Sequence, residues 1–170
     1  MDIRIASPED AESIGRIQVA SWQSAYKNIV PDVHLNSMDV AAHASRWIEN
    51  LSTTTQNKFT LMATVDGRDI GFLSMGPARD ENAGFDGELW AVYLHPDFYG
   101  QGHGKPFFDD AVNRMKKQGY KNMYVWVLKD NMIGRRFYEK MGAVEIKGLT
   151  KTVTIADTVL DEVAYGWISL

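Results

Sequence analysis

The sequence predicts an α/β fold with helices layered on a mixed sheet, and three observations carry that prediction. Apolar runs with the spacing of strands alternate along the chain with runs of helical period. Asp66-Gly67, the strongest short hairpin signal, separates two of the strand-like runs. The segment "YGQGHGKPFF", Tyr99 to Phe108, sets three glycines between a buried apolar run and an amphipathic one.

The elements follow in order. "IRIA", Ile3 to Ala6, alternates like a short strand. Ser7-Pro8-Glu9-Asp10 then supplies an N-cap, a proline at the first helical position and acids in the first turn. Ala11, Ile14, Ile17, Trp22 and Ala25 give that helix its apolar face, and it should stop before Pro31. A second helix is predicted from Asp39 to Leu51, with Val40, Ala44, Trp47 and Leu51 at helical spacing. Phe59 to Val65 and Ile70 to Met75 are the hairpin strands, and Glu88 to Leu94 reads as a mostly buried strand leading into the glycine loop. Lys105 to Gln118 is a helix ended by Gly119, Met123 to Leu128 a buried strand, and Met132 to Met141 a short helix closed by Gly142. Ala143 to Lys147 and Glu162 to Ile168 supply two final strands.

Composition narrows the function. A chain of 170 residues, 45% hydrophobic, suits a single domain spanning 1–170. The absence of cysteine excludes disulfides, thiolate metal sites and a cysteine nucleophile. The N-terminus lacks a basic region followed by an apolar run, and no apolar stretch approaches membrane-spanning length, so the expectation is a soluble, unprocessed, cytoplasmic protein with no membrane partner. A net charge of −4 without a basic run argues against nucleic acid. His34, His43, His95 and His103 show no metal-ligand spacing, so no metal is expected.

A glycine cluster between strand and helix points backbone N–H groups at something large and anionic, with phosphate the leading candidate. The P-loop spacing fails, because Tyr99 stands where its first glycine belongs and Pro106 where its hydroxyl belongs. The dinucleotide spacing fails at Lys105 or Phe107, depending on the frame. A plain surface turn that uses glycine for its torsions is the competing reading.

Taken with the element order, two segments decide. "AVYLHPDFYGQGHGK" resembles the strand and pyrophosphate loop of the GNAT superfamily of acyl-CoA-dependent N-acetyltransferases, with Gly102 and Gly104 at the two glycines of its Q/R-x-x-G-x-G/A signature. "NMIGRRFYEKMGA", Asn131 to Ala143, is similar to that family's later motif, N-x-x-A-x-x-F-Y-E-K-x-G-F. The opening helices, with "SWQSAYKNIVP", look like a bacterial subgroup acting on small amines. The sequence departs from the family at Tyr99, His103, Pro106 and Gly134 without losing either glycine of the signature.

The resemblance implies a GNAT-like single domain with a mixed, mostly antiparallel central sheet flanked by helices, and acetyl-CoA as co-substrate. Backbone N–H groups of Gly100, Gln101, Gly102, His103, Gly104 and Lys105, at the positive end of a helix, would surround the pyrophosphate. The strand Val92, Tyr93 and Leu94 would pair with the pantetheine arm, and Asn131 would reach it from the far side. Lys105, Lys129, Arg135 and Arg136 are candidates for the nucleotide phosphates. Tyr138 matches the family tyrosine that gives a proton to the departing thiolate. A phenol of pKa ~10 can do so with little mismatch to a thiolate at roughly 8 to 9. Glu88 matches the glutamate some members use as general base, a water chain being the alternative. Trp22, Tyr26 and Trp47 would line the acceptor site. Asp80, Glu81, Asp86 and Glu88, with Asp69 nearby, would lend its mouth negative potential favouring a small cationic amine, polyamine-like ahead of an amino acid or a protein N-terminus. Trp126 stands where some protein N-terminal acetyltransferases carry glutamate, against close kinship with them. A catalytically silent acyl-CoA sensor and a homodimer both stay open at this point.

Overall fold

The computed structural model describes the backbone of residues 1–170 and every side chain except that of Asn82. β1 (Asp2–Ile5) leads through a 3-10 turn at Pro8–Asp10 into α1 (Ala11–Ala25). Asp10 fixes that entry: its carboxylate accepts the Ser7 amide at 2.8 Å and two Arg4 nitrogens at 2.6 Å. The Arg4 guanidinium holds the Asp10 pKa below the usual carboxylate value. α2 (Asp32–Ser37) is a short helix the sequence reading leaves out. That reading uses Pro31 only as a stop, whereas here it is also the residue from which a helix departs. α3 (Val40–Ser52) begins at Asp39, whose carboxylate accepts the Ala42 amide at 3.0 Å.

Then come β2 (Phe59–Val65), β3 (Arg68–Pro77), β4 (Gly87–Leu94), α4 (Gly104–Lys117), β5 (Met123–Leu128) and α5 (Met132–Lys140). β6 (Val144–Ile155) and β7 (Thr158–Trp167) close the chain. The seven strands form one sheet in the order β1-β2-β3-β4-β5-β7-β6. Every neighbouring pair is antiparallel except β4 and β5, which is the mixed, mostly antiparallel sheet expected.

The last two strands are much longer than Ala143 to Lys147 and Glu162 to Ile168. Residues 148–161 belong to a hairpin whose turn residues, Ala156 and Asp157, hold φ of 47° and 61°. Neither is a glycine, so the usual signal for such a turn is missing from the sequence.

Two apolar layers sandwich the sheet. On one face Phe107, Ala111 and Met115 of α4 meet Leu61, Leu73, Leu89 and Val125. On the other, Ile14 and Ile17 of α1 and Trp47 and Leu51 of α3 meet Met62 and Phe72. A third cluster joins Val30, Leu35 and Leu128 to Trp22 and Tyr26 and to Val153, Ile155 and Leu160 of the β6–β7 hairpin.

The sheet is interrupted where it matters most. β4 and β5 pair only at Gly87 with Met123 and at Glu88 with Tyr124, after which the ladder ends. On its other side β4 jumps in register from Leu89 to Ala91 against β3, leaving Trp90 as the extra residue of a bulge. The bulge bends β4 away from β5, and the parting leaves β4 backbone groups beyond Glu88 without a sheet partner on that side.

Candidate active site

The parting of β4 and β5 opens a cleft of about 810 Å³. Of the sequence-predicted residues, Glu88, Val92, Tyr93, Leu94, Gly100, Gly102, His103, Gly104, Lys105, Asn131, Tyr138, Trp22 and Tyr26 all line it. Gln101 and Trp47 do not.

At one end sits the glycine loop. Gly100 and Gly102 hold φ of 73° and 87°, and a Cβ on either would meet nothing within 4 Å, so both are glycine for their torsions and the space around them stays open. Gly104 is glycine for another reason: a Cβ there would lie 2.9 Å from Phe137 Cε2, so it lets α4 begin hard against α5. The loop delivers the first, unpaired N–H groups of α4 to the cleft wall. Gln101 is exposed and spends its side chain on the loop, donating to the Asp97 carbonyl at 2.6 Å. Lys105 forms an exposed ion pair with Asp109 at 2.6 Å. Lys129 and Arg135 are taken up by Asp161 and Glu145 and do not line the cleft; Lys140, not singled out in the sequence, does. Tyr99, one of the departures from the family pattern, is half-buried. Ser21 of α1 donates its hydroxyl to the Leu94 carbonyl at 2.5 Å, which ties the end of β4 to α1.

Asn131 is the N-cap of α5, its Oδ1 accepting the Gly134 amide at 3.0 Å. A Cβ on residue 134 would fall 2.8 Å from Asn131 Nδ2, so the glycine in place of the family's alanine makes room for the carboxamide. α5 then presents Tyr138. Its ring is packed against Phe137, Tyr165 and Trp167, while its hydroxyl makes no hydrogen bond among the described residues. Burial, with the Tyr93 phenol next in effect, pushes the Tyr138 pKa well above the ordinary phenol value, so the group stays protonated through neutral pH.

Across the gap, Tyr93 Oη accepts a hydrogen bond from Trp22 Nε1 at 3.1 Å, and the Trp22 ring meets that of Tyr26 edge to face with centroids 4.8 Å apart. These three side chains fasten the end of α1 over the cleft. Burial raises the pKa of both Tyr26 and Tyr93. Trp47, expected at the acceptor site, is instead core. Its ring sits 5.0 Å from that of Phe72 and its Nε1 donates to Gln18 Oε1 at 2.7 Å.

Glu88 is anchored rather than free. Its side chain is 2% exposed, and its oxygens accept from the Arg79 amide at 3.0 Å, the Arg79 guanidinium and the Tyr124 hydroxyl at 3.1 Å. Burial, then the Glu88 charge, push the Tyr124 phenol up to about 12. The acidic mouth also needs correcting. Asp69 accepts from Thr64 at the far β2–β3 turn, Asp86 accepts the Lys121 amide, and neither these nor Asp80 and Glu81 line the cleft. The carboxylates that do are Glu88 and Glu162, the second of which sequence reasoning passed over as a strand end. No group of three or more His, Asp or Glu side chains among the described residues could hold a metal ion. Among the described residues no helix is long and apolar enough to cross a membrane.

A splayed parallel strand pair with a glycine loop on a helix N-terminus narrows the field, and comparison with known proteins closes it. Residues 19–143 match the model of the acetyltransferase (GNAT) family. The chain belongs to the GNAT family. It is 31% identical over 168 residues to the uncharacterised N-acetyltransferase YuaI of Bacillus subtilis, covering 99% of this chain and 93% of that one. It is 26% identical to a spermidine N(1)-acetyltransferase of Thermoplasma acidophilum, covering 84% of this chain and 87% of that one. Among solved structures, the PaiA N-acetyltransferase of Thermoplasma acidophilum in complex with coenzyme A superposes with a TM-score of 0.74 at 24% identity, over 95% of this chain and 96% of that one. This GNAT chain is therefore an acetyl-CoA-dependent N-acetyltransferase. The open glycine loop and the unpaired β4 backbone fit that co-substrate, which supplies an acetyl group activated as a thioester.

Proposed function

We propose that the acceptor is a small cationic primary amine, acetylated by direct attack within a ternary complex, with Tyr138 as general acid. The observation that supports this reading is that Tyr138 lines the cleft between β4 and β5 with a hydroxyl that makes no hydrogen bond among the described residues. Trp22 and Tyr26 line the same cleft. In this reading the Gly100–Lys105 loop holds the pyrophosphate and β4 from Val92 takes the pantetheine amides, though the Leu94 carbonyl is already engaged by Ser21. Tyr138 protonates the departing sulfur; burial keeps the phenol in its acid form at neutral pH while making it a weaker acid than an ordinary phenol. No cysteine is available to carry an acetyl group between half-reactions, which supports direct attack.

Glu88 and a water chain are the two candidate bases. The Glu88 oxygens already serve Arg79 and Tyr124, so we assign that residue to fixing the junction where β4 and β5 part, and the ammonium proton leaves through water in the open mouth. The spermidine-acetylating relative supports a small amine over an amino acid or a peptide N-terminus. The test is release of free thiol from acetyl-CoA with polyamines, aminoglycosides, amino acids and peptides, followed by initial rates with both substrates varied. Intersecting lines with a polyamine as best acceptor are expected. Parallel lines would overturn direct attack, an anionic best acceptor would overturn the substrate class, and coenzyme binding without turnover of any amine would make the protein a sensor.

A further inference from the structure

Glu162 lines the cleft with its side chain only 17% exposed, yet it accepts no hydrogen bond among the described residues. Its partner is the Lys151 ammonium, 3.4 Å from Oε2. That ammonium also stands 4.3 Å above the centre of the Trp126 ring, well inside cation–π range. The sheet brings the three together: Lys151 on β6 lies opposite Glu162 on β7, and Glu162 lies opposite Leu128 on β5, two residues from Trp126. All three line the same cleft as Tyr26 and Tyr93, and the Glu162 charge is felt by both of those phenols.

We propose that Glu162 and Trp126 form the cage for the distal ammonium of a diamine acceptor, and that Lys151 occupies this cage until the acceptor displaces it. The inference rests on the small-amine reading and names the part of the cleft that selects for it. Its chemistry is that of the lysine already there: a primary ammonium on an unbranched four-carbon stem, the shape of one end of an alkyl diamine. A largely buried carboxylate needs a cation, and Glu88 cannot serve the acceptor in the same way because Arg79 saturates it. Lys151 is 46% exposed on the outermost strand, so moving into water costs it little, and the incoming ammonium inherits both the carboxylate and the indole face.

The experiment compares putrescine with butylamine, which differ in the distal ammonium, in the unaltered protein and in Glu162→Gln and Lys151→Gln. The readout is the ratio of kcat/KM for the two amines. Glu162→Gln should lower that ratio at least ~10-fold, and Lys151→Gln should raise it ~3-fold or more, because a competing internal cation is gone. Calorimetric titration of putrescine into the coenzyme A complex supplies a readout independent of turnover, with weaker binding expected for Glu162→Gln and tighter for Lys151→Gln. Unmoved ratios and affinities in both variants overturn the cage. Loss of putrescine affinity in Lys151→Gln would show that Lys151 supports the site rather than occupying it, and overturns displacement. If the unaltered protein acetylates neither amine yet binds putrescine with the predicted variant pattern, the small-amine activity falls and the cage stands. If it neither acetylates nor binds putrescine, both fall.

Discussion

The two halves of the cleft are built differently. The half we assign to the coenzyme is made by one continuous run, β4 through α5, and much of what it offers is backbone: open glycine torsions at Gly100 and Gly102, the first turn of α4 and the unpaired side of β4. The half we assign to the acceptor draws Trp22 and Tyr26 from one end of the chain and Lys151 and Glu162 from the other, and what it offers is side chains. Backbone recognition needs particular residues only where a side chain would intrude, so it leaves a short, dense signature. Side-chain recognition depends on which distant strands come to face each other, and no local pattern records that.

The largest expected effect attacks the coenzyme half. Gly102→Glu places a side chain at φ 87° and an anion where the diphosphate is expected, so acetyl-CoA affinity should fall by at least ~100-fold. Calorimetry on the folded variant checks it, and an unchanged Kd would separate the loop from the coenzyme. In that half the elements around the two motifs were legible in the sequence. Gly104 opens α4 and Asn131 caps α5, both on the cleft wall, and the departure at Gly134 has a physical reason in the 2.8 Å approach to Asn131. In the acceptor half, Trp47 misled because a helical aromatic says nothing about whether it faces core or cleft. Asp69, Asp80, Glu81 and Asp86 misled because closeness in sequence was read as closeness to the mouth. Glu162 was missed because residues 148–161 carry no glycine turn to announce the hairpin that positions it.

Tyr138 is the proposed general acid, so its removal should affect chemistry and spare both bindings. Tyr138→Phe should lower kcat by about 100-fold or more with acetyl-CoA affinity nearly unchanged. The pH dependence has a definite sign. A general acid must be protonated, and burial holds this phenol protonated past its ordinary pKa near ~10. The unaltered enzyme should therefore show no loss of kcat assignable to a phenol between about pH 7 and pH 10. A descending limb in that range that disappears in Tyr138→Phe would mean the group is not held as the structure has it.

Glu88 sharpens the comparison because it belongs to the junction from which both halves diverge. As an anchor its loss is structural: Glu88→Gln removes a charge that Arg79 and Tyr124 are arranged to meet, and should cost about 1–3 kcal/mol of stability. A fall in Tm with a kcat loss smaller than that of Tyr138→Phe is the expected pair of results. An unchanged Tm with kcat lost by ~100-fold would restore Glu88 as the base.

The smallest effect probes the hairpin that the sequence concealed. Ala156 and Asp157 hold left-handed torsions of 47° and 61°, the backbone of a two-residue turn that Asn-Gly adopts with less strain. Alanine is a poor occupant, since its Cβ crowds the carbonyl in that region at a cost of roughly 1 kcal/mol. Replacing the pair, Ala156→Asn with Asp157→Gly, should therefore stabilise the protein by about 1 kcal/mol, a Tm rise of roughly 2–4 °C at this chain length. Coenzyme affinity should not move, because the turn contributes nothing to the loop or to β4. Acceptor selectivity should also persist, since Lys151 and Glu162 are set by the strand register and not by the turn residues themselves. A lower Tm would mean that the turn is not the strained two-residue type, and a shift in acetyl-CoA affinity would mean that the two halves are coupled through the sheet.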